Sequence, residues 1–517
     1  MLLNVKARRQ HAELVIGIVG AVGSKLGFVQ EKLTAALTEM GYRAEPIHLI
    51  ELLHEIDKWE TLNEGFEETR IKEHMDAGDQ FRGLIGSDDA LAILGVGKIR
   101  KLRRQVTNNL DEPAERTVYV IKSLKHPEEV AALREMYGPG FLLVAAYSPR
   151  ELRVQHLAEK IAETHNSQDI DSFREDSERL INRDQKDALN PSGQNVRQSF
   201  PLADVFVNSS REKDLVEQID RFVALLLGNS FLTPTRDEYC MSQAYIAALR
   251  SGALGRQVGA VIATCDGQIL ATGTNEVPKY GGGQYWYGDD PDNRDIAEDW
   301  DSSDVLKQMS VGEVLDRLSE RPGWLTEEKR NLRSSERVRA VLPLLKGTRI
   351  MQPLEYGRAV HAEMAAMVDA AVRGIPVKGC YVYTTTFPCH ECARHIIDAG
   401  IERVVYIEPY PKSLAMRLHD EEIAIESVGE IKSKVRFDPF VGIAPRQYQN
   451  LFPIFEARKT DEGRRLVWEK SKAVLRLQGF PESYIENEKD ALELLQERME
   501  GAKLKAVSDA GGGGNGG

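Results

Sequence analysis

No apolar run in this chain approaches the ~18 residues that a membrane-crossing helix needs, so a helical membrane protein is excluded. Cysteine is scarce, five in 517 residues, which excludes a disulfide-stapled scaffold. An excess of positive charge is also missing, because the formal net charge is −13. Proteins that grip long nucleic acids show basic surfaces, since phosphate contacts dominate that affinity. The acidic balance therefore disfavours a polymer partner, although one small phosphorylated molecule can still sit in a local basic pocket. No internal repeat is present. The opening MLLNVKARRQHAELVIGIVG has basic residues before an apolar stretch, as a signal peptide does. Its apolar run is short, and a glycine-rich turn stands where a cleavage site belongs. It reads as a first core strand, and the chain reads as cytoplasmic.

What is present is ordinary for a globular protein, with 42% hydrophobic and 28% charged residues. At about 100–200 residues per domain the length predicts two or three domains. Strand and helix signals alternate from the start: strands at 14–19, 116–124, 141–147 and 204–210, and helices at 25–40, 127–137 and from Glu212 to about Leu227. That alternation predicts a parallel sheet covered on both faces. A boundary falls near 228–239. The next region opens with a helix at about 235–250, then strands 257–264 and 268–275 joined by a Cys-Asp-Gly turn suited to a hairpin. From Glu276 to about Arg358 the pattern breaks, with one helical stretch near 311–321. It resumes with helix 360–373, strand 380–386, helix 390–399 and strand 403–409. The tail from about 460 to 505 reads as charged and helical, and AGGGGNGG at 510–517 as disordered. The expected fold class is α/β, with domains at 1–230 and 231–460, an insert at 276–358 in the second, and a helical extension at 461–517.

The strongest chemical signal is His361-Ala362-Glu363 followed by Pro388-Cys389-His390-Glu391-Cys392. A catalytic zinc takes three protein ligands and leaves a fourth position open. One imidazole and two thiolates supply three. A CxxC at a helix start brings both sulfurs to one metal, and the helix N-terminus favours thiolate over thiol. His361 and Glu363 stand near the start of another helix of the same sheet, so both helix ends can face one point. Zinc brings the pKa of bound water toward ~7. Glu363 is then the proton shuttle and His361, Cys389 and Cys392 are the metal ligands, a division of roles matching the H-x-E…P-C-x-x-C pattern of zinc-dependent nucleobase deaminases. The rival is a closed structural zinc site, which needs a fourth ligand. His390 and His395 are the only nearby candidates, and His390 lies inside the CxxC, pointing away from its centre. The remaining cysteines, Cys240, Cys265 and Cys380, read as core residues.

The stretches HAEMAAM, YVYTTTFPCHECARHIIDAGIERVVY and QVGAVIAT…ILATGTNEVP together resemble the deoxycytidylate deaminases, over about 235–275 and 355–425. The resemblance implies a cytidine deaminase-like three-layer α/β/α domain that acts on a cytosine nucleotide with Zn2+. It also implies a substrate-holding asparagine in a G-x-N context, which Gly273-Thr274-Asn275 matches. Ala365 stands where that family often has a second asparagine.

Near the N-terminus, Gly17-Ile18-Val19-Gly20-Ala21-Val22-Gly23-Ser24-Lys25-Leu26 follows a strand and opens a helix, the context of a phosphate-binding loop. Gly20, Gly23, Ser24 and Lys25 are its candidate nucleotide-binding residues. The strict GxxxxGK[ST] pattern is not met: aligned on Lys25, Leu26 replaces the magnesium-binding hydroxyl. Binding without hydrolysis and no binding both stay open. The segment through YVIKSLKHPEEVAALREMYGPGFLLVAAYSPRELR resembles P-loop nucleoside-monophosphate and dephospho-coenzyme-A kinases. A P-loop kinase-like domain ahead of a deoxycytidylate deaminase is similar in layout to the bacterial anti-phage dCTP deaminases. This resemblance implies conversion of dCTP, and of dCMP as an alternative, to the uracil form, with activity restrained until infection. A regulatory nucleotide at the N-terminal domain fits that restraint. A small regulatory RNA is implied by the resemblance alone.

Weaker signals remain. Lys412, in Glu408-Pro409-Tyr410-Pro411-Lys412-Ser413, stands after a strand end where ligands commonly bind; it is a substrate-phosphate candidate or a solvated turn lysine. Arg256 is a similar candidate. Gly281-Gly282-Gly283-Gln284-Tyr285-Trp286-Tyr287 suits a lid or an oligomer contact, and a homo-oligomer is expected. Competing functions are a housekeeping dCMP deaminase, a polynucleotide editor, which should show a basic aromatic channel, and a nucleotide sensor with the deaminase as its output.

Overall fold

A computed structural model describes residues 13–63, 65–185, 193–346, 348–351, 356–410, 413–425, 433–476 and 483–506. The chain forms two compact units, Met1–Glu238 with Phe440–Gly517, and Tyr239–Pro439. Among the described residues no helix is long and apolar enough to cross a membrane.

The first unit is built on strands β1 (Leu14–Val19), β2 (Arg43–His48), β3 (Thr117–Leu124), β4 (Phe141–Tyr147) and β5 (Val205–Asn208). Their order is β5-β4-β1-β3-β2, all parallel. Every residue of β1 is buried, as expected for a central strand with helices on both faces. β1 pairs with β3 on one side and β4 on the other. The loop after β1 therefore opens at the point where the strand order reverses, where such sheets place ligands. Helix α1 (Leu26–Glu39) follows that loop. Strand β2, RAEPIH, escapes a sequence reading because Pro46 and two charged residues disguise it. It is an edge strand, where the missing proline N–H costs little. Helices α2 (Glu67–Ile85), α3 (Ala90–Thr107), α4 (Pro127–Tyr137), α5 (Arg150–Thr164), α6 (Arg174–Gln185) and α7 (Glu212–Leu226) complete the layers.

The C-terminal segment differs from its expected place. Residues 461–517 do not stand apart as an extension but belong to the first unit, and the chain enters that unit again at Phe440 rather than 461. A helix at Tyr484–Gly501 carries Glu488 into a buried cluster. There Glu488 accepts from the Arg103 guanidinium at 2.6 and 2.8 Å and from the Tyr137 hydroxyl at 2.9 Å. Arg103 also donates to Glu13 at 2.9 Å, and Tyr484 donates to Glu13 at 3.0 Å. A short strand, Gly442–Ile443, pairs antiparallel with β5. Glu238 pins it by accepting from Ile443 N–H at 2.8 Å while paired with Arg221 at 2.7 Å. These partners lie hundreds of residues away in sequence, so no local pattern announces them. The glycine-rich end, 510–517, lies outside the described residues.

The second unit is a six-stranded mixed sheet. Strands β6 (Gly259–Ala263) and β7 (Ile269–Thr274) form the expected hairpin, with Gly267 at φ 85° in its turn. β8 (Tyr381–Thr386) runs antiparallel to β6, and β9 (Arg403–Glu408) runs parallel to β8. β10 (Ile423–Ile425) and β11 (Val435–Pro439) extend the parallel side, in the order β10-β11-β9-β8-β6-β7. Helix α8 (Ala362–Val372) covers β6 and β7, and helix α9 (His390–Asp398) follows β8. In the insert the helix begins earlier than its apolar spacing indicates, at Ser302–Ser319, because Asp301 caps it by accepting from Asp304 N–H at 3.0 Å.

Candidate active site

Buried strand β8 carries the chain into Phe387-Pro388 and places Cys389 at the N-cap of α9. The Cys389 sulfur takes the capping role and accepts from Cys392 N–H at 3.4 Å. One turn on, Cys392 is fully buried. His361 occupies the N-cap of α8, and Glu363 lies in its first turn, buried. Two helix N-termini thus point their partial positive charge at one place.

What brings α8 that close is glycine. A Cβ at Gly273 on β7 would stand 2.0 Å from the Ala362 carbonyl oxygen and 2.4 Å from Ala366 N. Helix backbone lies directly on strand backbone there. Gly259 on β6 makes a similar approach to the helix before it, 2.0 Å from Ala244 O. The G-x-N motif therefore earns its glycine through packing.

His361 Nδ1 lies 3.2 Å from Cys389 Sγ and 3.4 Å from Cys392 Sγ, and the three donor atoms fall within 4.8 Å of one another. Cys392 Sγ lies 3.6 Å from Glu363 Oε2. The hydrogen bond from Cys392, with that to His361, holds the Cys389 thiol down at about 4, while the same Cys389 contact and burial drive Cys392 up. Two sulfurs share one negative charge, and a divalent cation stabilises both as thiolates. One nitrogen and two sulfurs are the donor set of a catalytic zinc, and His361, Cys389 and Cys392 fit that ion. Neither His390 nor His395 belongs to this cluster, and no other cluster of three or more such ligands occurs among the described residues. The site matches an open catalytic centre. Burial, then the charge of Cys389, pushes the Glu363 carboxyl up to about 7.

His361, Glu363 and Cys389 face a cavity of about 310 Å³. Asn275 lines it, as its motif suggested, but its amide already works on the protein: Oδ1 accepts from Val258 N–H and Nδ2 donates to Arg256 O, both at 2.7 Å. Arg256 also lines the cavity, 3.3 Å from Glu408. Lys412 lies outside the described residues. The sequence reading missed the wall contributed by the insert: Asp295, Asp301, Ser302, Ser303, Lys307 and Arg358. Arg358 pairs with Glu298 at 3.1 Å and Lys307 with Asp304 at 3.0 Å. Only the position of Arg358, three residues before the His-x-Glu motif, could have flagged it.

In the first unit, Ala21 to Gly27 border a separate cavity of about 570 Å³. Gly23 has φ 88°, and a Cβ there would stand 2.7 Å from Arg153 O. Lys25 is the N-cap of α1 in the left-handed region, φ 53°. Ser24 is buried and its N–H donates to Ala21 O at 3.0 Å. Gly20 is not in the wall; its carbonyl accepts from Lys125 Nζ at 3.0 Å.

Residues 234–408 match the family model of the cytidine and deoxycytidylate deaminase zinc-binding region. The chain thus carries a deaminase-family domain of the cytidine and deoxycytidylate type, and its cofactor is Zn2+. Among curated relatives, ComE operon protein 2 of Bacillus subtilis is 43% identical over 53 residues, 10% of this chain and 28% of that protein. The deoxycytidylate deaminase of Homo sapiens is 37% identical over 67 residues, 13% of this chain and 36% of that protein. The chain thus spans only about a third of the length of each of these relatives. The crystal structure of dCMP deaminase from the cyanophage S-TIM5 aligns over 40% of this chain and 100% of that one, at 16% identity and a TM-score of 0.22, too low a score to establish shared architecture.

Proposed function

We propose that the second unit catalyses hydrolytic deamination of a free deoxycytidine nucleotide, dCTP and also dCMP, to the deoxyuridine nucleotide. The observation that carries this reading is the His361, Cys389, Cys392 donor triangle with the buried Glu363 carboxylate 3.6 Å from one of its sulfurs. Zinc supplies a Lewis acid that makes a water-derived nucleophile available near neutral pH.

Glu363 takes a proton from the attacking water and delivers it to N3 of the cytosine as the C4–O bond forms. It then carries the second proton to the C4 amine, which leaves as ammonia while the C4 carbonyl forms. Its burial excludes bulk water from that relay. Asn275 has one amide N–H and one oxygen lone pair left after its two backbone bonds, and we assign them to a substrate hydroxyl. Arg256, Lys307 and Arg358 provide cationic wall for the phosphates, and Lys412 is kept as a further phosphate contact. A cavity of about 310 Å³ suits one nucleotide better than a strand, and the net charge of −13 agrees.

The biological role we propose is depletion of dCTP against phage, resting on the resemblance of the two-domain layout. Ammonia release from purified, zinc-loaded protein given dCMP, dCTP, CTP or a cytosine oligonucleotide tests the substrate assignment. Turnover of dCTP, with dCMP second and the oligonucleotide inert, is expected. Turnover of the oligonucleotide alone would overturn the reading, and turnover of dCMP without dCTP would overturn the proposed role.

A further inference from the structure

We infer that the cavity of the first unit binds a small molecule carrying a chain of phosphates, held chiefly by Lys25, Lys122 and Lys160. The three lysines come from different elements, the N-cap of α1, strand β3 and helix α5, and all line the same cavity. None of them has an ion pair or side-chain hydrogen bond among the described residues. The Lys122 ammonium reaches the first turn of α1, 4.0 Å from where a Gly27 Cβ would stand. A positive side chain is thereby aimed at a positive helix end, an arrangement that favours an anion between them.

The backbone is shaped for the same purpose. The β1–β3 register slips where Ile18 faces Lys122 and Val19 faces Leu124, leaving Ser123 as an extra residue with φ 73°. A non-glycine residue in that region is strained, and the bulge lies at the carboxyl end of the strand, beside the order reversal. Nearby groups show the crowding of positive charge. His156 is held below its usual range by burial and then by Lys160 and Lys25, and His48 is lowered to about 4 by burial and then Lys122. Phe28, Leu49 and Met75 give the cavity an apolar wall, and about 570 Å³ accommodates a nucleotide-sized ligand.

The glycine loop itself is not the main anion holder in this arrangement. Its Val22 N–H already donates to the buried Asp184 carboxylate at 2.7 Å, and Asp184 pairs with Lys125 at 2.8 Å. One internal anion therefore fills part of the loop, and the side-chain lysines do the recognition. This inference does not depend on the deaminase reading.

The test is calorimetric titration of the full, zinc-loaded chain with ATP and with inorganic tripolyphosphate, neither of which carries a cytosine. Both should bind and compete, with affinity falling as salt rises. Lys122→Gln with Lys160→Gln should weaken both by about thirtyfold or more, since each removes a charge-assisted contact. The Lys122→Arg with Lys160→Arg variant should stay within about threefold of the parent. Binding of tripolyphosphate without ATP would still support the lysine site and identify an inorganic polyphosphate as its ligand. Absence of binding by both probes, binding of ATP without tripolyphosphate, or undiminished binding by the glutamine variant would overturn it. If the double variant fails to fold, Lys160→Gln alone decides, because Lys160 is exposed; it must cost about fivefold or more.

Discussion

The Glu363 carboxylate and the Cys392 sulfur face each other at 3.6 Å, both buried, one in the first turn of α8 and the other in the first turn of α9. A carboxylate beside a thiolate is repulsive unless a cation stands with them. On the proposed mechanism the pair separates two roles within one small volume, metal holding for the sulfur and proton transfer for the carboxylate.

Glu363→Gln should lower deamination by about 10²-fold to 10⁴-fold, the range that a positioned proton carrier contributes. Zinc content should stay near that of the parent, because the side chain is not in the donor triangle. Metal analysis beside the ammonia assay checks both parts. A variant that turns over normally, or that loses its metal, removes Glu363 from this role.

Cys389→Ala and Cys392→Ala should each release zinc and abolish activity. Two remaining ligands cannot hold the ion well, and metal binding contributes to folding free energy. Cys389→Ala also deletes the N-cap of α9, worth about 1 kcal/mol. Atomic absorption after dialysis and a thermal melt read the two effects. A full zinc complement in either variant would mean that the ligand set is wrong.

Gly273→Ala should destabilise the second unit by at least about 3 kcal/mol, the upper part of the overpacking range. The added methyl meets backbone, not a flexible side chain, at 2.0 Å. Since α8 carries His361 and Glu363, loss of activity should accompany the drop in melting temperature. An alanine variant as stable as the parent would show that the close approach of α8 to β7 is not required.

Glu488→Ala should cost the first unit about 3–5 kcal/mol, because it leaves the buried Arg103 guanidinium without one of its two carboxylates. Urea unfolding followed by a first-unit probe measures this. A shift below about 1 kcal/mol would show that the C-terminal helix is dispensable for that unit.

The donor triangle was legible in the sequence because metal ligands must be particular residue types at particular spacings. His361, Cys389 and Cys392 lie where HxE and CxxC put them, and the strands around them carry plain apolar runs. The buried parallel strands β1, β3 and β4 were equally readable, since both of their faces are covered. β2 was not, because an edge strand tolerates Pro46 and charge. The destination of the C-terminal helix was hidden for another reason. Glu488 meets Arg103, and Tyr484 meets Glu13, across most of the chain length, and acidic residues in a helical pattern look the same whether they meet solvent or an arginine. The motif singled out Asn275, which lines the cavity, yet its two backbone bonds to Val258 and Arg256 needed coordinates.

The ends of the insert meet in an antiparallel bridge between Glu276 and Val360, with Val360 N–H donating to Glu276 O at 3.0 Å. A long excursion therefore leaves and rejoins the sheet at neighbouring points, directly beside the helix that bears His361 and Glu363. On the proposed function, reactivity and selectivity are consequently encoded on separable stretches of chain. The outer wall, with Asp301, Lys307 and Arg358, can be lengthened, shortened or exchanged as a cassette while the metal ligands and the proton carrier keep their register. Variation in which nucleotide is accepted can then accumulate at the rim without any change in how the carbon–nitrogen bond is broken.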